Sequence, residues 1–181
     1  MGLPIAVGNY AIDTTHSQLG FSVTHLGIST IRGTFDNYTG ELSVGDDLGD
    51  TSVRIDAEMS SINSGNPMRD THVHGAEFLD VDNHPTMSFR STSISETGPG
   101  YALAGDLTIK GITMPMTFDV TYNGAAIFPI DHSTHFGFAG AATISRSAFD
   151  VSYGVPTISD EVDLVHNLQF IQPAATEQQP D

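Results

Sequence analysis

Eight histidines are the side chains of this 181-residue chain with the widest scope for chemistry. His72 and His74 are two positions apart and His132 and His135 are three apart, so the two pairs together could supply metal ligands. If the first pair lies on a helix, however, its side chains point to different sides. No His-Glu-x-x-His motif and no cysteine accompany them, so the sequence predicts no metal site.

Acid, hydroxyl and glycine patterns also fall short of known catalytic motifs. Asp13, His16 and Ser17 have the residue types of a hydrolytic triad, but they lie within five positions at the end of a predicted strand. No Gly-x-Ser-x-Gly nucleophile motif occurs. Gly105 and Gly111 lack the Gly-Lys-Ser/Thr sequence that completes a phosphate-binding loop. We therefore predict no catalytic residues and no cofactor.

The chain is strongly acidic. Its 6 basic and 22 acidic residues give a net charge of −16, which argues against binding to nucleic acid or to an anionic membrane surface. No apolar run approaches the roughly 18 residues of a membrane-spanning helix, so we do not expect an integral membrane protein. The first nine residues lack the features of a secretory signal, so we expect a cytoplasmic protein, or a periplasmic or secreted one if a signal has been removed.

The chain length favours a single domain. No repeat, low-complexity tract or change of composition marks a second one. We predict one domain over residues 9–172, preceded by an N-terminal extension at residues 1–8. A flexible, polar, proline-containing C-terminal tail is predicted at residues 173–181.

The dominant pattern along the chain is an alternation of apolar and polar residues. It is clearest in residues 53–59, 102–109, 116–122 and 162–170. A period of two over this length is typical of antiparallel strands with one buried and one solvated face. Several such strands at regular spacing predict an all-β sandwich or barrel. The predicted turns between them lie at residues 45–50, 97–100, Gly111 and Asn123-Gly124.

One segment departs from this alternation. Asn66 followed by Pro67 is a favourable start for a helix, which we expect to run over residues 67–74. A helix of two turns within a series of strands is suited to closing one end of a barrel. Arg69 and Asp70 in this helix are expected to make structural ion pairs.

One face of the predicted strands is almost wholly apolar. In a closed barrel this face lines the interior, which is either filled by side chains or holds one ligand. Small residues at Gly33, Gly105, Gly140 and Ala142 would face large ones and could leave an elongated slot. The twelve large residues expected on the inward face are Phe21, Val23, Phe35, Val53, Ile55, Met59, Phe89, Leu107, Phe118, Phe138, Ile144 and Leu168.

Six short sequence blocks follow one another from about Tyr10 to Phe170, which is nearly the whole chain. They lie within residues 13–27, 31–40, 69–72, 77–85, 105–113 and 144–162. The most recognisable is Gly105-Asp106-Leu107-Thr108-Ile109-Lys110-Gly111. These blocks resemble, in the same order, those of the YceI-like family of polyisoprenoid-binding proteins, and six blocks in register make the resemblance specific.

The resemblance implies an extended, eight-stranded, antiparallel, lipocalin-like β-barrel whose lumen holds a long isoprenoid chain or a similar lipid, and it implies a homodimer. It adds His25 and His72, near the mouth, to the twelve inward residues as predicted ligand-binding residues. The expected function is binding of a long-chain isoprenoid lipid, such as an isoprenoid quinone, as carrier, store or chaperone. With 6 basic residues against 22 acidic ones, a neutral headgroup suits the charge balance better than a pyrophosphate.

Three other functions stay open. A fatty-acid or fatty-amide carrier would use the same lumen. An enzyme acting on a lipid headgroup would use histidines at the mouth as acid and base. A barrel with a filled interior would serve only as an interaction module.

Overall fold

The computed structural model describes residues 2–172, most of which lie in strands. Met1 and the predicted C-terminal tail at residues 173–181 lie outside the described residues. Within residues 2–172 no helix is long and apolar enough to cross a membrane. The elements in chain order are β1 (Gly8–Ile12), β2 (Gln18–His25), β3 (Ser29–Phe35), β4 (Tyr38–Val44), β5 (Ser52–Glu58), β6 (Ile62–Asn63), α1 (Pro67–His74), β7 (Thr86–Thr97), β8 (Gly100–Ile109), β9 (Ile112–Ile127), β10 (Thr134–Ser145) and β11 (Ile158–Gln172).

The eleven strand segments form one antiparallel sheet that closes on itself. Because β1 and β2 both pair with β11, they are two halves of one long strand. In the same way β3 and β4 are two halves of a second strand, because β3 pairs with β2 and β4 pairs with β1. Segments β5 and β6 are two halves of a third strand, because β5 pairs with β4 and β6 pairs with β3. These three interrupted strands and the five continuous ones, β7 to β11, make eight strands, each paired with its neighbours in the chain. The predicted eight-stranded antiparallel barrel with one short helix is confirmed.

The three interrupted strands are broken at neighbouring places in the barrel wall. Main-chain hydrogen bonds connect two of the breaks: Asp36 N donates to Ser61 O over 3.1 Å, and Glu58 N donates to Asn37 O over 2.9 Å. Segments β1, β4 and β5 lie on one side of the three breaks, and β2, β3 and β6 lie on the other side. The strand breaks, as we call them, are residues 13–17, 36–37 and 59–61.

Asp13, at the first strand break, joins this part of the wall to β11. Its main-chain N donates to Gln169 O over 2.7 Å, and its carboxylate lies 2.6 Å from His16 Nδ1. Burial raises the pKa of the Asp13 carboxyl, but hydrogen bonds from His16 and Thr15 and the nearby histidine charges outweigh burial, so the pKa lies below its ordinary value of 3.8. Ser17 Oγ accepts a hydrogen bond from Gln169 N over 2.8 Å. The residues of triad type therefore stabilise the strand break.

Helix α1 begins where the sequence predicts it. Asn66 Oδ1 accepts hydrogen bonds from the first-turn amides, at 3.1 Å each, which satisfies donors that have no partner inside the helix. Arg69 donates from Nε to Ser64 Oγ and from Nη2 to Ser64 O, both over 2.7 Å, and Asp70 Oδ1 accepts from Ser64 N over 3.0 Å. In the described part of the chain neither residue forms the predicted ion pair. Both hold the loop before the helix instead, because Ser64 offers them donors and acceptors.

The prediction of a turn at Asn123-Gly124 is wrong, because β9 continues past it to Ile127. Gly124 pairs with Gly137 of β10, and Tyr122 pairs with the adjacent Phe138. Asn123 is therefore an extra residue in β9 that has no partner in β10. Gly124 has a φ of +110°, a conformation that glycine adopts without strain. The glycine therefore serves a β-bulge rather than a hairpin turn.

Two of the small residues predicted to leave a slot instead give room to aromatic rings. A Cβ atom at Gly33 would overlap the ring of Phe21, and one at Gly105 would overlap the ring of Phe89. The prediction that these two positions leave open space is therefore wrong, because each ring lies across its glycine. Gly140 differs from these two: it lines a cavity, and a Cβ atom there would make only ordinary van der Waals contacts with two side chains, both at 3.9 Å.

Candidate functional site

The barrel interior contains two adjoining cavities. The outer cavity, beside α1, has a volume of about 720 Å³. The inner cavity lies deeper in the barrel and has a volume of about 100 Å³. Phe35, Met87 and Leu164 line both cavities, so these side chains mark where the two meet. Ligand pockets of proteins typically measure about 300–1,000 Å³, and the outer cavity falls within that range.

The outer cavity lies between α1, the β2–β3 hairpin and the segment before β11, and this end of the barrel is its mouth. Two large apolar side chains are exposed at the rim of the mouth, beside polar residues such as Asn66 and Asp70. Met68 on α1 is 85 % exposed, and Ile28 at the tip of the hairpin is 84 % exposed. Behind the rim, the rings of His72, Phe78 and Tyr153 pack on one another with centroids 4.9–5.5 Å apart. The mouth thus presents apolar surface on both its edge and its inner wall.

The inner cavity has the predicted N-terminal extension at its far end. Leu3 lines this cavity, and Leu3 and Ile5 pack against a buried cluster that includes Tyr10 and Phe170. Its lining is otherwise formed by apolar side chains of the barrel wall and by glycines, with two exceptions. Among the described lining residues, only Tyr101 and His166 carry a side-chain nitrogen or oxygen atom.

The structure places all fourteen predicted ligand-binding residues in the lining of these cavities, and their contact with a ligand stays a prediction. The alternation of the sequence accounts for this, because a period of two assigns each side chain to one face of the wall. The outer cavity alone is lined by Phe21, Val23, His25, Met59, His72 and Ile144. The inner cavity is lined by Val53, Ile55, Phe89, Leu107, Phe118, Phe138 and Leu168, and both cavities are lined by Phe35.

His166 is a lining residue that our sequence analysis did not select. It lies on β11 opposite Gly140 of β10 and Leu19 of β2, and its ring lies 5.2 Å from that of Phe118. Nδ1 is buried and has no hydrogen-bond partner in the described residues. Burial lowers the pKa of His166 to about 4, so the ring is neutral near pH 7. The alternation over residues 162–170 already assigns His166 to the inward face. The pattern does not show, however, that a single histidine among apolar residues lacks a hydrogen-bond partner.

The two histidine pairs do not come together. His72 and His74 belong to α1 at the mouth, whereas His135 is the second residue of β10, at the other end of the barrel, where its Nδ1 lies 2.6 Å from Gln169 Nε2. Within residues 2–172 no group of three or more histidine, aspartate or glutamate side chains is placed to hold a metal ion.

Comparison of the sequence with models of protein families assigns the chain to a family. Residues 10–170 match the model of the YceI-like domain. The chain belongs to the YceI-like family. A curated relative is the UPF0312 protein of Staphylococcus aureus strain USA300, which is 34 % identical over 165 residues that cover 90 % of this chain and 93 % of the relative.

Solved structures share the fold of this YceI-like protein. The crystal structure of Burkholderia cenocepacia BcnA is similar with a TM-score of 0.79 at 24 % identity, over 87 % of this chain and 98 % of BcnA. A polyisoprenoid-binding domain from Saccharophagus degradans is similar with a TM-score of 0.65 at 14 % identity, over 91 % of this chain and 98 % of that domain. At these identities the likeness extends to the barrel and not to individual side chains.

The cationic side chains at the mouth of this YceI-like barrel are engaged by the protein itself. Arg146 is buried, and its guanidinium donates to four main-chain carbonyl oxygens within residues 151–159 at 2.6–3.0 Å. Arg69 directs two hydrogen bonds to Ser64. These are the two cations in the described lining of the outer cavity. Both stabilise loops of the mouth through these hydrogen bonds.

Proposed function

We propose that this protein binds a long-chain isoprenoid lipid, such as an isoprenoid quinone, in the barrel lumen and acts as its carrier, store or chaperone. The observation that carries the proposal is the pair of adjoining apolar cavities, about 720 Å³ and about 100 Å³, which extend from the mouth to the inner end. Membership of the YceI-like family supports it, as does the likeness in fold to a polyisoprenoid-binding domain.

The binding energy comes from removing the chain from water. Each buried methylene group contributes about 0.8 kcal/mol, so ten buried carbons contribute roughly 8 kcal/mol. Ordering of the flexible chain and loss of its translational freedom offset a large part of this gain. A hydrocarbon offers no directional contacts, so the width and length of the cavities select the ligand.

The charges of the site favour a neutral lipid over a phosphorylated one. A pyrophosphate headgroup needs cations with unused donors, because arginine recognises phosphate through paired N–H groups. Of the two cations in the described mouth lining, Arg146 donates to four main-chain carbonyl oxygens, and Arg69 has the paired Nε and Nη2 edge of its guanidinium occupied by Ser64. The net charge of −16 adds long-range repulsion toward an anion.

The test is native mass spectrometry of the protein purified from its own host or from a quinone-rich host, followed by organic extraction and identification of the lipid. We expect one bound lipid per chain, with a long isoprenoid tail and an uncharged headgroup. Transfer of that lipid between donor and acceptor vesicles then separates a carrier from a store.

Two outcomes would contradict the proposal. Extraction of a fatty acid or fatty amide in place of an isoprenoid would assign the same lumen to the alternative ligand class. A protein that is reproducibly free of lipid, and that does not take up an isoprenoid quinone added in detergent, would show that the cavities do not serve lipid binding. An acidic protein of similar size purified from the same extract is the control for carry-over of lipid.

A further inference from the structure

The least explained polar group in the barrel is the imidazole of His166. It faces the inner cavity from the middle of β11, between Gly140 and Leu19 on the neighbouring strands. Its Nδ1 is buried without a hydrogen-bond partner in residues 2–172, and the residue lines the inner cavity. A buried polar group without a hydrogen-bond partner destabilises the folded state. An apolar residue of similar size at this position would avoid that cost.

The surroundings of His166 have the shape and chemistry of a ring-binding site. Phe118 lies 5.2 Å from the imidazole and 5.4 Å from Phe89, ring centroid to ring centroid, so aromatic faces and edges surround the inner cavity. Opposite His166, Gly140 also lines the inner cavity and places no side chain in it. An engineered apolar cavity of about 150 Å³ takes up benzene, so the volume of about 100 Å³ here is of the order of one six-membered ring.

We propose that the ligand enters head-first and that the inner cavity holds a flat, uncharged, carbonyl-bearing ring, with a hydrogen bond between the imidazole of His166 and an oxygen of that ring. This inference rests on the proposed function and names the headgroup class, its position and its recognition residue. A neutral imidazole carries one N–H donor and one acceptor, so it can donate to a carbonyl oxygen without a charge on either partner. The isoprenoid tail then occupies the outer cavity and points to the mouth.

The opposite orientation leaves His166 unexplained. If the tail enters first, its terminal methyl groups fill the inner cavity and the imidazole stays without a partner. The headgroup then lies at the mouth near His25 and His72. The two orientations therefore place the same headgroup beside different histidines at opposite ends of the lumen.

The test compares a quinone with a ligand of similar length that has no carbonyl group: a decyl-substituted benzoquinone and decylbenzene. Binding of both is measured to the wild type, to His166→Leu, which removes the polar group, and to His166→Gln, which keeps a donor and an acceptor. Asn167→Leu is the matched control, because Asn167 is the exposed neighbour on the outer face of the same strand. We expect His166→Leu to weaken quinone binding about tenfold, the loss of one hydrogen bond, and to leave decylbenzene binding unchanged.

An infrared measurement of the bound quinone provides a second readout. Its carbonyl stretch is expected to shift to lower frequency in the wild type and in His166→Gln, and to lose that shift in His166→Leu. Since His166→Leu removes an unpaired buried polar group, its thermal unfolding temperature should not fall, and a folded variant keeps the comparison valid.

The two proposals fail in different ways. If neither decyl compound binds to the wild type, the proposed lipid-binding function fails. If both bind and His166→Leu weakens both equally or neither, head-first recognition by His166 is overturned while lipid binding stands. Selective loss of quinone binding in His25→Leu or His72→Leu, with His166→Leu unaffected, would place the headgroup at the mouth and also overturn it.

Discussion

Filling the inner cavity tests whether the ligand uses the full length of the lumen. Gly140 lines the inner cavity, and a Cβ atom there would make ordinary van der Waals contacts at 3.9 Å with its two nearest side chains, so Gly140→Leu adds four carbons to the cavity without a clash at the Cβ. The added side chain takes the place of about four ligand carbons, whichever end of the ligand lies there. At about 0.8 kcal/mol per carbon the loss is about 3 kcal/mol, or roughly 10²-fold in affinity.

The assay measures the affinities of isoprenoid quinones of increasing tail length by displacement of a fluorescent lipid. In the wild type we expect affinity to rise with each isoprene unit until the lumen is full. In Gly140→Leu the rise should stop about one unit earlier, since four carbons approximate one isoprene unit. Ala141→Leu is the matched control, because Ala141 is exposed on the outer face of the same strand. A Gly140→Leu protein that folds and binds every quinone within twofold of the wild type would refute the ligand's use of the inner cavity.

Two further predictions concern stability. Arg146→Lys should lower the free energy of unfolding by about 2–3 kcal/mol, since one ammonium group cannot donate to all four carbonyl oxygens that the buried guanidinium satisfies. Chemical denaturation measures this loss. A loss below about 0.5 kcal/mol would contradict a stabilising role for the four hydrogen bonds. Asp13 has a pKa below 3.8 in the fold, so its carboxylate stabilises the protein fully above about pH 5 and this contribution disappears as the pH falls through the lowered pKa. The stability difference between wild type and Asp13→Asn should therefore narrow below about pH 4 in urea denaturation series, and a difference that stays constant down to pH 2 would contradict the role of the carboxylate.

The direction of the side chains was predictable from the sequence, and the paths of the loops were not. Alternation around Leu107 and Phe118 indicates which side chains face inward, because successive residues of a strand point to opposite faces. The cap at Asn66 is a local interaction, so it too can be predicted. Asn123-Gly124 has the residues of a turn, yet the continued pairing of β9 with β10 makes it a bulge. That outcome depends on a partner strand that a local pattern does not contain.

Other features depend on contacts between distant parts of the chain. Gly33 and Gly105 look like gaps in the sequence, but rings from neighbouring strands lie across them. His166 looks like an ordinary member of an inward stripe, and only the closed barrel shows that its Nδ1 has no partner. The sequence therefore predicts which residues line the lumen. The shape of the cavities and the unpaired Nδ1 of His166 can be recognised only once the pairing of the strands is known.

The strand breaks have a mechanical consequence for the lumen. On one side of them β1, β4 and β5 form the wall around the inner cavity, where β1 pairs with β11 to close the ring. On the other side β2, β3 and the two-residue β6 form the wall beside α1. The two halves of this wall are joined through short irregular segments instead of continuous ladders. Because β1 and β2 pair with β11 as separate ladders, of two and seven residue pairs, the inner half and the mouth half of the wall are closed independently, and a change of register in one half need not pass to the other.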